Sequence, residues 1–186
     1  WLAQAHVAQM DAAQGNLAAA ERSYLAIIDR TSNPDVMAAL ITLYRHQGRD
    51  REATAWASRA GAIWDKRVAS LPETYYDHAF DHAMDVGDTK HAMALAHRNY
   101  VARPYGDAAI GLSRALLADG QSGLAANILE TQEKAGWRSV ELFSAMASAY
   151  QASGRVRKTK EAKAKALAIN PKAFDQAADL LAFGNH

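Results

Sequence analysis

The densest run of chemically capable side chains is Tyr75-Tyr76-Asp77-His78-Ala79-Phe80-Asp81-His82-Ala83-Met84-Asp85. At about 100° per residue, a helix over this run sets Thr74, His78, Asp81, His82 and Asp85 in one stripe, with Asp77 at its border. His78, His82 and Asp85 are spaced i, i+4, i+7. Two imidazoles one turn apart plus a carboxylate could hold a divalent transition metal and leave one position open. The remaining arc, Tyr75, Tyr76, Ala79, Phe80, Ala83 and Met84, is an ordinary buried face, so the polar stripe equally suits water or a partner. The spacing is not His-Glu-x-x-His, and no glutamate is placed as a general base. The expectation is therefore no resident metal and no cofactor, with metal binding on this helix kept as the weaker alternative. Asp77, Asp81 and Asp85 lie along one helix, where their repulsion costs stability, so a basic or cation-bearing ligand would relieve it.

Other catalytic templates are missing. There is no Gly-rich phosphate loop after a strand, no Gly-x-Ser-x-Gly elbow and no cysteine nucleophile. The expectation is that the chain is not an enzyme. The basic run Arg155, Arg157, Lys158, Lys160, Lys163 and Lys165 spreads around most of a helix circumference, with Glu161 among it and no interleaved aromatic residue. That pattern reads as a solvated helix rather than a nucleic-acid surface. A formal net charge of +1 gives no global field for nucleic acid or an anionic membrane, so neither is expected as a partner. No apolar run approaches the roughly 18 residues of a membrane span. The absence of cysteine leaves cytoplasm and periplasm equally compatible, so localisation stays open. The chain opens with Trp1 and Leu2 already in a helical pattern, which reads as a fragment or a processed form.

The elements that would position these residues are helices. Alanine-rich composition favours helix, and 186 residues suffice for a core without disulfide or metal. Gly15, Gly48, Gly87, Gly120 and Gly154 recur at intervals of 33, 39, 33 and 34 residues, each after a helical pattern. Pro34, Pro72, Pro104 and Pro171 mark the other junctions, with Asn33 and Asn170 as N-caps and Ser70-Leu71-Pro72-Glu73 as a capping box. The extra residues between Gly48 and Gly87 fall at Gly61 to Leu71 and predict an extended second helix there.

This period, with small and large residues in register, resembles the tetratricopeptide repeat. In the second unit Leu40, Ile41, Tyr44, Gly48, Ala53, Ala57 and Ala60 carry the resemblance, and in the last Met146, Ala147, Tyr150, Gly154, Ala166 and Pro171 do. The resemblance implies an all-α, right-handed solenoid of antiparallel helix pairs in one domain. Its units would be about 1-33, 34-70, 71-103, 104-137 and 138-170, followed by a capping helix over 171-183. It further implies a scaffold that holds a partner protein or peptide on the concave face lined by first helices. On the family's pattern, the groove includes Arg45, His46, Thr74, Asp77, His78, Asp81, Asp85 and Arg114. The alternative is self-assembly into a homo-oligomer through the apolar ends of the stack.

Overall fold

The computed structural model describes residues 1-175. Among the described residues there are ten helices and no strand: α1 (Leu2–Ala13), α2 (Leu17–Thr31), α3 (Pro34–His46), α4 (Asp50–Ser70), α5 (Pro72–Asp85), α6 (Thr89–Ala102), α7 (Gly106–Ala118), α8 (Ser122–Lys134), α9 (Val140–Ala152) and α10 (Val156–Ile169). Consecutive helices pack as five hairpins. The all-α architecture of helix pairs expected from the sequence is the one found.

The turn inside each hairpin has one construction. Tyr44 accepts at its carbonyl from the Arg49 amide at 2.9 Å while Arg45 accepts from Gly48 at 3.0 Å, so the helix end closes on itself. The matching long-step bonds are Asn16 to Asp11, Asp88 to Ala83, Gln121 to Leu116 and Arg155 to Tyr150. This closure needs a left-handed residue at its centre, and the five turn glycines have φ between +69° and +85°. The glycine period is thus a backbone requirement repeated five times.

Between hairpins the devices differ. Asn33 caps α3, its side chain accepting from the Asp35 amide at 2.8 Å, as expected. The expected capping box at Ser70 does not form. Ser70 is the last residue of α4, Leu71 takes the cap position, and no side chain bonds there. The cause is the extension of α4 to 21 residues, which draws Ser70 into helix. Of the expected capping helix, Pro171 to Asp175 form turns, and the rest of that expectation lies outside the described residues.

The chain divides into two compact units, Trp1–Ser70 and Leu71–Asp175. In the first, Tyr24, Ile27, Ile28, Met37, Leu40 and Leu43 fill a core between α1, α2 and α3, and α4 packs on α3 through Ala53, Ala57, Ala60 and Trp64. In the second, α5, α7 and α9 lie side by side, and each pairs with the helix that follows it. Alanines dominate that contact: Ala92 and Ala96 of α6 and Ala108 and Ala109 of α7 are all buried, which lets the backbones approach closely. Trp137 is 40% exposed and lies over Gly106. Gly106 has φ +55°, and a Cβ there would come within 3.1 Å of the indole.

Candidate interaction site

Counting back from the turn glycines aligns the first helices of the second unit. The positions six residues before the glycine are Asp81, Arg114 and Ser148, and those nine before are His78, Gly111 and Ala145. The register is physical, since Arg114 Nη1 of α7 donates to Asp81 Oδ1 of α5 at 2.7 Å, one repeat apart. The Arg114 guanidinium also lies 5.0 Å from the centre of the Phe80 ring, and Phe80 in turn faces Gly111. The ion pair is half-exposed, and Thr74 and Asp85 of α5, Asp107 of α7 and Glu141 and Ser148 of α9 are exposed on the same three helices. This first-helix face therefore carries a fixed charge pair, with the small residues Gly111, Ala145 and Ser148 at the register positions of α7 and α9.

Asp77 is placed differently from the expectation. Rather than joining an open acidic stripe, its carboxylate turns to α6, where Asn99 Nδ2 donates to Oδ1 and Arg103 Nη2 lies 3.3 Å from Oδ2. Asn99 is buried, and its own carbonyl oxygen accepts from Arg103 at 2.6 Å. The network staples α5 to α6, because a buried amide needs partners for both of its ends. The sequence signal is the pair Asn99 and Arg103 at i, i+4 on the partner helix of the same hairpin, which helical periodicity along α5 alone does not bring in.

Among the described residues, no group of three or more His, Asp or Glu side chains could hold a metal ion, so His78, His82 and Asp85 do not form the metal site weighed from their spacing. Residues at i, i+4 and i+7 share a face, but that alone does not converge their donor atoms on one point. Arg45 and His46 sit exposed at the C-terminal end of α3 in the first unit. His91 and His97 of α6 are exposed.

Two further polar assemblies were not read from the sequence. In the first unit, Glu21 of α2 accepts from the Tyr44 hydroxyl at 2.9 Å and from Arg49 Nη1 at 2.8 Å, and the Arg49 guanidinium lies 4.2 Å from the Tyr44 ring centre. In the second, Glu130 of α8 accepts from the Tyr150 hydroxyl at 2.9 Å and from Lys158 Nζ at 2.8 Å, with Lys158 5.2 Å from the Tyr150 ring centre. Each is a clamp of carboxylate, phenol and cation across the junction between hairpins. Burial raises the Tyr44 and Tyr150 hydroxyls above the ordinary tyrosine range, and the neighbouring carboxylate adds to it. The hydrogen bond from Lys158 holds Glu130 below the usual carboxylate range, and Tyr150 contributes, although burial opposes both. Part of the basic run on α10 is thereby consumed: Lys158 and Arg155 face Glu130, and Lys165 reaches Glu133 at 2.5 Å.

No protein-family model matches the chain, and no curated protein matches it. Solved structures do. Nearly identical TPR-like repeats assigned to a kinesin light chain of Podosopora anserina are 21% identical, over 94% of this chain and 96% of theirs, with a TM-score of 0.60. MamA of MSR-1 is 16% identical, over 91% and 96%, with a TM-score of 0.51. A tetratricopeptide repeat protein from Parabacteroides merdae is 15% identical, over 91% and 66%, with a TM-score of 0.52. At these identities the likeness speaks for the fold, which is that of tetratricopeptide-like helix hairpins.

Proposed function

We propose that this tetratricopeptide-like chain is a protein-interaction scaffold, binding rather than catalytic, and that it takes a segment of a partner protein on the first-helix face of its second unit. The observation that supports this most is the Arg114–Asp81 pair, a half-exposed, pre-positioned charge pair linking α5 and α7 on a face whose register positions in α7 and α9 hold the small residues Gly111, Ala145 and Ser148. Small residues let a ligand backbone come close, and the guanidinium offers donors to a carbonyl or carboxylate at fixed geometry. His78, Asp85 and Thr74 extend the surface along α5.

The ligand we favour carries a basic residue. Asp85, Asp107 and Glu141 are exposed on these first helices, and Arg114, itself paired with Asp81, is the one arginine or lysine on α5, α7 and α9. Asp77 does not add to this charge as an open carboxylate, because it is engaged by Asn99 and Arg103. Arg45 and His46 of the first unit are proposed as a separate contact.

Selection from a phage-displayed library of random dodecapeptides on the immobilised chain tests the proposal. Selected peptides should hold to the parent and lose about tenfold or more in affinity for the charge swap Asp81→Arg with Arg114→Asp, which keeps an ion pair but reverses its polarity. Peptides that bind the swap as tightly as the parent, or a library that yields none, would refute this face as the site.

A further inference from the structure

The second unit separates its charge by helix, which the first unit does not. Its first helices, α5, α7 and α9, hold six acidic residues and one arginine, Arg114, with no lysine. Its second helices, α6, α8 and α10, hold eight lysines and arginines and three glutamates. In the first unit the signs are mixed: α2 holds Glu21, Arg22, Asp29 and Arg30, and α4 holds three acidic and four basic residues.

The separation reaches the surface on both sets of helices. Residues thirteen, nine, six and two positions before the turn glycine share one arc of a first helix. That arc carries Asp81 and Asp85 of α5, Asp107 of α7 and Glu141 of α9, and all but Asp81 are exposed. On the second helices the glutamates are already engaged, Glu130 by Lys158, Glu133 by Lys165 and Glu161 by Arg157. Helix α6 has no acidic residue, and its exposed arc includes Lys90, Ala94, His97, Arg98 and Val101. Lys90 and Arg98, like Lys160 of α10, form no ion pair among the described residues.

We propose that copies of this chain associate face to back, with the basic outer surface of α6 and α10 of one copy seated on the acidic first-helix arc of the second unit of another. This rests on reading that arc as a binding surface, and it names the basic partner the arc takes. A separate acidic protein would meet only the basic surface and leave the acidic arc without a counterpart. A second copy satisfies both. With a net charge of +1, the copies have almost no overall repulsion to overcome. Each copy offers a different surface, so the contact is heterologous and builds rings or open chains rather than a two-fold dimer.

Sedimentation velocity of the whole chain over a range of concentrations tests this. Association is expected at about 20 mM salt and should be lost at about 500 mM, where exposed charges are screened. Lys90→Glu with Arg98→Glu, and separately Asp85→Lys with Asp107→Lys, should each weaken association about tenfold or more with circular dichroism unchanged. An equimolar mixture of the two variants should associate again, because each then offers the charge that the other's reversed surface requires. A chain that stays monomeric at low salt would overturn the proposal, and library-selected peptides that still bind it would leave the first-helix reading standing. Association that survives salt and both reversals runs through another surface, such as the ends of the stack, and would overturn it as well.

Discussion

The junctions α2/α3 and α8/α9 are closed by the same three chemistries, a carboxylate, a phenol and a cation, while the junction α6/α7 is closed by alanines. At α6/α7 the tyrosine's place is taken by Leu116 and the arginine's, just after the turn glycine, by Gln121. The polar contact between hairpins appears there on the other side, as Asp81–Arg114 on the first-helix face. The comparison teaches where charge is put to use. All of these ion pairs are partly exposed, but in the clamps a buried tyrosine joins the pair and ties it to the core, whereas in the middle of the second unit apolar packing closes the junction and the ion pair stands on the first-helix face.

The largest expected effect probes how tightly that middle junction is built. Gly106→Ala would place a Cβ 3.1 Å from the Trp137 ring at a left-handed φ, and should destabilise the chain by about 2–3 kcal/mol. Gly120→Ala, also at positive φ but with open space around it, should cost only about 1 kcal/mol. Denaturant titrations of the two variants compare them, and equal losses would mean that the Trp137 contact adds nothing.

Next come the clamps. Glu21→Ala and Glu130→Ala each strand a tyrosine hydroxyl in a buried side chain and should cost roughly 1–2 kcal/mol apiece, in similar measure if the two junctions are built alike. A loss at one site and none at the other would break the equivalence.

The pH dependence follows from the same groups. Glu130 is held below its ordinary value of 4.5, so its stabilising contribution is complete above that pH and is lost as pH falls through the lower folded value. Burial pushes the Tyr24 hydroxyl up from 10.0 to about 12, so stability present below pH 10 should decline as pH rises towards 12. Thermal melts followed by circular dichroism should therefore fall off at both ends, and Glu130→Ala should flatten the acid limb but not the alkaline one. An acid limb unchanged by that substitution would remove Glu130 as its source.

The smallest effect on stability is expected at the ligand face. Asp81→Asn breaks a half-exposed ion pair and should cost no more than about 1 kcal/mol. A larger loss would place Asp81–Arg114 with the structural clamps instead of with recognition.

What the sequence revealed and what it hid follow the same division. The glycine period was legible because each turn closure demands a left-handed residue, and the α4 extension was legible as an interval of 39 residues where the others are 33 or 34. The destination of each charge was not. Asp77 and Asp81 stand one helical turn apart on α5, yet the first turns to Asn99 of α6 and to Arg103 just after it, and the second to Arg114 on α7. Helical periodicity assigns an arc to a side chain, and only tertiary packing decides which neighbour meets it. The clamps escaped for a related reason: Glu21 lies 23 residues before its tyrosine and Glu130 lies 20 before its own, so no fixed spacing unites them.

Recognition by this chain, as proposed, takes place on the first helices of its second unit. Amide hydrogen exchange of the chain with and without a library-selected peptide measures this directly. Protection should rise in α5 and α7 around Asp81 and Arg114 and extend to α9 near Ser148, while α6 and α8 stay unchanged. Protection confined to α6, α8 or α10, or to the first unit alone, would contradict it.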